Sequence, residues 1–215
     1  MFELFLASFV TFFVVIDPPG VTPMFSTLTQ DMPPAWRRRM AWKSVAVATA
    51  ILLGFALGGE WLLDKLHVGL DAFRIAGGLL LFLIAIDMLF ETRTQRREAR
   101  NEKVLEERRA HPGEHDDISV FPLAIPLIAG PGSIASVMLL FAQYEDWTAR
   151  AAVLAGAGVN LGLTLAAFLL AARLSHMISA TVAAMVTRIF GIILAALAAQ
   201  FVIDGIKNAF GLSVL

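Results

Sequence analysis

Six apolar stretches, at 2–29, 41–63, 73–90, 118–142, 148–172 and 186–210, take up most of this 215-residue chain. Each is close to the length of a membrane helix, since about 20 residues at 1.5 Å rise match a hydrocarbon core about 30 Å thick. Composition points the same way: 58% hydrophobic residues, 16% charged residues and a mean hydropathy of +0.73 lie outside the range of soluble globular proteins. A water-soluble fold of this size could not hide so much apolar surface. The expected fold class is all-α, a polytopic membrane protein with six transmembrane helices.

The stretches read as one design written twice. Asp17-Pro18-Pro19-Gly20 in the first and Ala129-Gly130-Pro131-Gly132 in the fourth place helix breakers 112 residues apart. Arg74-Ile75-Ala76-Gly77 and Arg188-Ile189-Phe190-Gly191 open the third and sixth, 114 residues apart. Gly54-x-x-x-Gly58 and Gly158-x-x-x-Gly162 match in the second and fifth, and this spacing predicts close helix packing there. Three spans per copy is an odd number, so the second copy enters the membrane from the opposite side. The expected organisation is a first three-helix repeat at 1–90, a charged linker at 91–117, and a second, inverted repeat at 118–215, with helices 1 and 4 interrupted.

Proline removes an amide donor and clashes one turn back, while glycine relaxes the backbone, so both motifs should interrupt their helices near mid-membrane. Pro122 and Pro126 disrupt the fourth stretch further. Non-helical backbone survives at that depth only when protein or a water-filled cavity covers it. The half-helices starting near Val21 and Ser133 should each aim free N–H groups and a positive dipole end into the interior, where a carboxylate can bind. The candidate solute-binding residues are Asp17, Pro18, Pro19, Gly20, Thr22, Gly130, Pro131, Gly132, Ser133 and Asn160. Asp17 is the one formal charge placed near the membrane centre; it either couples a proton or Na⁺ to transport or caps the amides of its own half-helix. Asp87 and Asp204 fall near span ends, where water or a cation must offset the unfavourable dipole, and interfacial placement accounts for both. Arg74 and Arg188 are expected to snorkel to the interface.

Charge sets the orientation. The loops after spans 1, 3 and 5 hold thirteen Lys and Arg residues, the other side only Lys65, Arg74, Arg150 and Lys207. The positive-inside rule then puts both termini outside and the 91–119 loop in the cytoplasm. That loop reads as a solvated tether; His111, His115, Asp116 and Asp117 are its one metal-capable cluster, and no metal is expected. Trp36, Trp42, Trp61 and Trp147 flank spans as an aromatic belt. There is no cysteine, which excludes thiolate chemistry. The N-terminus lacks a basic leader and cleavage site, so the first stretch should remain as a span. Nothing resembles a catalytic motif, and neither enzyme activity, a cofactor nor a nucleic-acid partner is expected.

The residues that carry these signals also resemble the MarC family of bacterial six-span membrane proteins. The likeness lies in Phe-Val-Val-Ile-Asp-Pro-Pro-Gly of span 1, Arg-Ile-Ala-Gly-Gly of span 3 and Phe-Pro-Leu-Ala-Ile-Pro-Leu-Ile-Ala-Gly-Pro-Gly-Ser-Ile of span 4, and it covers essentially the whole chain. The resemblance implies an inner-membrane location, kinship with exporters of the lysine-exporter type, and a small neutral amino acid such as alanine or glycine as solute. The expected partners are this solute and membrane lipid, with a homo-oligomer left open. Two other functions fit the same residues: a passive channel or facilitator, and a non-transporting membrane assembly or regulatory protein acting through the 91–119 loop.

Overall fold

The computed structural model describes residues 1–90, 117–171 and 180–211, together with the single positions 96, 99, 102 and 106. The described residues contain no strand. Helix α1 is Phe2–Ile16, α2 Pro18–Leu28, α3 Pro34–Lys65 and α4 Leu70–Leu89; after the linker come an irregular coil at Ser119–Ile128, then α5 Pro131–Ala142, α6 Trp147–Leu169 and α7 Ala180–Ala209. Among the described residues five elements are long and apolar enough to cross a membrane, Phe2–Leu28 counting as one, and the bent pair Ser119–Ile128 with Pro131–Ala142 makes a sixth if taken as one span. Helices α3 and α7 begin several residues before the apolar stretches they contain, because the residues ahead of each include good helix formers, Arg37, Arg38 and Arg39 in α3 and Ala180, Ala183 and Ala184 in α7. Most of the linker lies outside the described residues. Positions 96, 99, 102 and 106 are helical and exposed.

The two interruptions differ in form. Right-handed helical angles are disfavoured for Asp17 ahead of Pro18; it adopts the left-handed region at φ 59°, ψ 62°, which Asp tolerates better than most residues. The apolar element continues through it over 27 residues. In the fourth stretch Phe121 and Ile125, each preceding a proline, are extended at φ −124° and −119°. The chain then turns by 57° into α5.

Side-chain contacts sort the ends of the elements into two groups. Lys43 at the start of α3 pairs with Asp117 ahead of the irregular coil, Phe25 late in α2 stacks on Phe168 late in α6 at 4.2 Å, and Arg96 pairs with Asp87 late in α4 at 2.8 Å. At the other end Arg150, early in α6, reaches Glu60, late in α3, at 3.2 Å. Successive elements therefore end on alternate sides of the bundle, as crossings of one layer require. Leu79, Leu83, Ile189, Ile192 and Leu163 point outward, whereas Phe12, Ile16, Phe25, Leu123, Ile128 and Phe168 form the centre.

Helices α4 and α7 run antiparallel over their length. A Cβ at Gly78 would lie 2.9 Å from the Ala198 carbonyl and 2.8 Å from Val202, one at Gly191 3.1 Å from the Ala85 carbonyl and from Met88, and one at Gly205 3.0 Å from the Asp71 carbonyl. Val202 is Met88 displaced by 114 residues, the interval that relates Arg74 to Arg188. Gly191 is Gly77 displaced by the same interval, so the two contacts correspond to within one residue.

The glycine pairs at 54/58 and 158/162 depart from expectation, because a Cβ at any of them would meet nothing within 4 Å. Close packing uses the neighbouring glycines instead. A Cβ at Gly59 would lie 2.9 Å from Met138, and one at Gly156 2.8 Å from the Phe9 amide and 2.9 Å from Ser8. Arg74 is 7% exposed, and its guanidinium reaches back one turn toward the helix start to meet Asp71 at 3.3 Å.

Candidate functional site

The first break satisfies itself. Pro18 and Pro19 occupy the first two positions of α2 and bring no N–H; the Gly20 amide meets the Asp17 carboxylate at 3.1 Å, and the Val21 amide the Asp17 carbonyl at 3.0 Å. Asp17 is fully buried and serves as the N-cap of α2. Thr22 donates its hydroxyl to the Pro18 carbonyl at 2.6 Å. The free N–H groups expected of this half-helix are thus already committed, because two of the four terminal donors are prolines and the cap takes a third.

The second break is built differently. Pro131 opens α5, Gly130 supplies no side-chain cap, and the first backbone bond of the helix runs from Ile134 N–H to the Gly130 carbonyl at 3.0 Å. The amides of Gly132 and Ser133 precede that bond. The Ser133 hydroxyl donates to the Ile128 carbonyl at 2.8 Å, which leaves the amides, not the hydroxyl, as donors. Gly132 and Ser133 both line a cavity of about 240 Å³, with Gly130, Pro131, Pro126 and Leu127 on one side and Val15, Ile84, Asp87 and Arg96 on the other. Its volume lies below the several hundred Å³ typical of sites for drug-sized ligands, which suits a solute of a few heavy atoms. The two breaks approach each other here, since a Cβ at Gly132 would lie 3.2 Å from Val15 and 2.8 Å from Ile84.

The structure therefore gathers Gly130, Pro131, Gly132 and Ser133 around one cavity. Asp17, Pro18, Pro19, Gly20 and Thr22 stand behind Val15, outside its lining. Asn160 lies elsewhere too, at the crossing of α1 and α6, where its amide donates to the Phe9 and Gly156 carbonyls at 2.9 Å each. Its Oδ1, with the hydroxyls of Ser8 and Ser136, is buried without a partner among the described residues. Sequence reasoning missed Asp87, Arg96, Val15 and Ile84 as cavity residues. Asp87 alone carried a signal, as a carboxylate at the unfavourable end of a helix dipole.

Outside the spans, the hydrogen bond from Lys43, followed by that from Ser119, holds the Asp117 carboxyl down at about 2. Thr148 chiefly lowers Asp146, which caps α6 through the Ala149 amide. Asp117 is thus engaged with Lys43 and Ser119; His111, His115 and Asp116 lie outside the described residues. Arg150, on the sparsely basic side, donates to the Tyr144 carbonyl at 2.6 Å and lies over the Phe141 ring at 4.7 Å.

A family profile described as MarC family integral membrane protein matches residues 2–210. A UPF0056 membrane protein of Methanocaldococcus jannaschii is 39% identical over 207 residues, covering 96% of this chain and 98% of the relative. The UPF0056 membrane protein YvbG of Bacillus subtilis is 33% identical over 210 residues, covering 98% and 97%, and a UPF0056 membrane protein of Archaeoglobus fulgidus is 33% identical over 207, covering 96% and 93%. No solved structure matches the chain.

Proposed function

The chain belongs to the MarC family of integral membrane proteins, and from that premise we propose that it is a secondary transporter of a small zwitterionic solute, a small neutral amino acid above all. The observation that carries the reading is the pair of uncapped amides at Gly132 and Ser133, two residues that line a cavity between apolar helices. Broken helices whose amide ends face a cavity at the junction of two halves are the usual construction of a transporter site. The solute's carboxylate binds at these two amides, aided by the positive end of the α5 dipole.

The two halves, 1–90 and 118–215, act as inverted repeats, and one rocks against the other to expose the cavity to each side in turn. The reciprocal glycine contacts of α4 and α7 support that arrangement. Asp17 is the proposed coupling residue for a proton or Na⁺, alongside its role as a cap. The protein lies in the plasma membrane with both termini outside and the 91–119 loop in the cytoplasm. Two of the four basic residues on the outer side, Arg74 and Arg150, are tied into ion pairs, which sharpens the asymmetry of free positive charge.

Counterflow of labelled alanine, glycine and serine into liposomes holding the purified protein tests the reading. We expect flux above empty liposomes for at least one solute, abolished by Ile84→Trp, which fills the cavity from the α4 side. No flux for these or a wider panel of small zwitterions would refute it. Flux indifferent to every ion gradient would replace the coupled transporter with a passive facilitator.

A further inference from the structure

We propose that Asp87 receives the cationic end of the transported solute. The inference rests on the transport reading above and supplies the partner for the solute's second charge. Ile84 meets the first turn of α5 at Gly132, and Asp87 follows it by three residues, about 4.5 Å further along α4. Its carboxylate lines the same cavity as Gly132 and Ser133. One wall thus offers amide donors at a positive helix end, and the facing helix offers a negative charge. A simple carboxylic acid would bind at the amides but leave Asp87 with Arg96 alone. An amine would pair with Asp87 and leave the amides empty. A compact zwitterion satisfies both.

Asp87 occupies a costly position for a carboxylate. It lies two residues from the C-terminus of α4, where the dipole disfavours a carboxylate, and at the edge of an apolar span, where an ionised side chain is expensive. Arg96 offsets part of that cost: its Nη1 donates to Asp87 Oδ2 at 2.8 Å and it lines the cavity beside it. The Arg96 side chain is 73% exposed, and such exposed pairs are weak. Arg96 is therefore the stand-in for an ammonium group, displaced when solute enters.

The test uses reconstituted full-length protein with L-alanine as probe, and propionate, ethylamine and β-alanine as competitors. In the wild type alanine should compete far better than propionate or ethylamine. Asp87→Asn should raise the KM for alanine by about tenfold or more, the scale of losing a charge-assisted hydrogen bond, and let propionate compete as well as alanine. Asp87→Glu keeps the charge but advances it by one methylene, so it should restore the preference over propionate and shift that between alanine and β-alanine. If both variants keep the wild-type KM and selectivity while Ile84→Trp abolishes flux, the assignment of Asp87 is overturned and the transporter reading stands. If Asp87→Asn yields no folded protein, an unchanged alanine-to-β-alanine preference in Asp87→Glu overturns it equally. If the wild type shows neither alanine flux nor thermal stabilisation by alanine, the transport reading falls and takes this one with it.

Discussion

Replacing Gly156 by alanine separates the packing deduced from the structure from the packing that sequence spacing suggests. The new Cβ would lie 2.8 Å from the Phe9 amide nitrogen, 2.9 Å from Ser8 Cβ and 3.1 Å from the Ser8 carbonyl carbon. Two of those are backbone atoms of α1, so relief requires the helices to part. Overpacking of this kind costs about 1–3 kcal/mol. Parting also stretches the Asn160 to Phe9 hydrogen bond, now 2.9 Å; such bonds between membrane helices contribute about 0.6–1.7 kcal/mol. Alanine returns up to about 1 kcal/mol in helix propensity, leaving a net destabilisation of about 1–4 kcal/mol. The same change at Gly158 or Gly162 meets nothing within 4 Å and should be neutral or stabilising by up to about 1 kcal/mol. Reversible unfolding in mixed micelles, followed by circular dichroism for the three variants side by side, measures the difference. Equal losses at 156 and 162, or a larger loss at 162, would refute the assignment of the α1–α6 contact to Gly156.

At position 17, Asn and Gly should be tolerated within about 1 kcal/mol, whereas Ala should cost about 2–4 kcal/mol by combining a left-handed backbone penalty with a lost cap; if Asp17 also couples an ion, Asp17→Asn abolishes the response of flux to ion gradients without a matching fall in thermal stability. The Lys43–Asp117 pair, with Asp117 lowered to about 2, contributes above the unfolded carboxylate's value near 3.9. That contribution disappears as pH falls through about 2, so the stability difference between wild type and Asp117→Asn, under about 1 kcal/mol for so exposed a pair, should shrink between about pH 4 and 2 in acid unfolding. Since the chain has no cysteine, single-cysteine variants report sidedness cleanly: Glu145→Cys should react with an impermeant maleimide in intact cells, and Gly113→Cys only after permeabilisation.

Where backbone chemistry dictates structure, the sequence was readable. Pro18, Pro19 and Gly20, and Gly130, Pro131 and Gly132, end helices wherever they occur, and both breaks stand where those residues put them. Which break is open was not readable from the motif pair alone, because it depends on a count of N–H donors: two prolines and a capping aspartate close the first, one proline and an uncapping glycine leave the second open. Faces were harder still. In a soluble helix the polar side marks the outside, but lipid is as apolar as the core, so Gly158 facing outward and Gly156 facing α1 carry no distinguishing pattern. Asp87 entered the cavity through a contact between α4 and α5, residues far apart in sequence, which no local signal records.

The seam between α4 and α7 has a consequence for how such a molecule could have arisen. Gly78 lies against Val202 and Gly191 against Met88, so each side of the joint presents a glycine to the other, offset by one residue from the strict self-complementarity of two-fold dimers. On the proposed inverted-repeat reading, two copies of a three-helix ancestor inserted in opposite senses would meet near these positions, and the end of the first would lie on the same face as the start of the second, so a tether joining them need not cross the membrane.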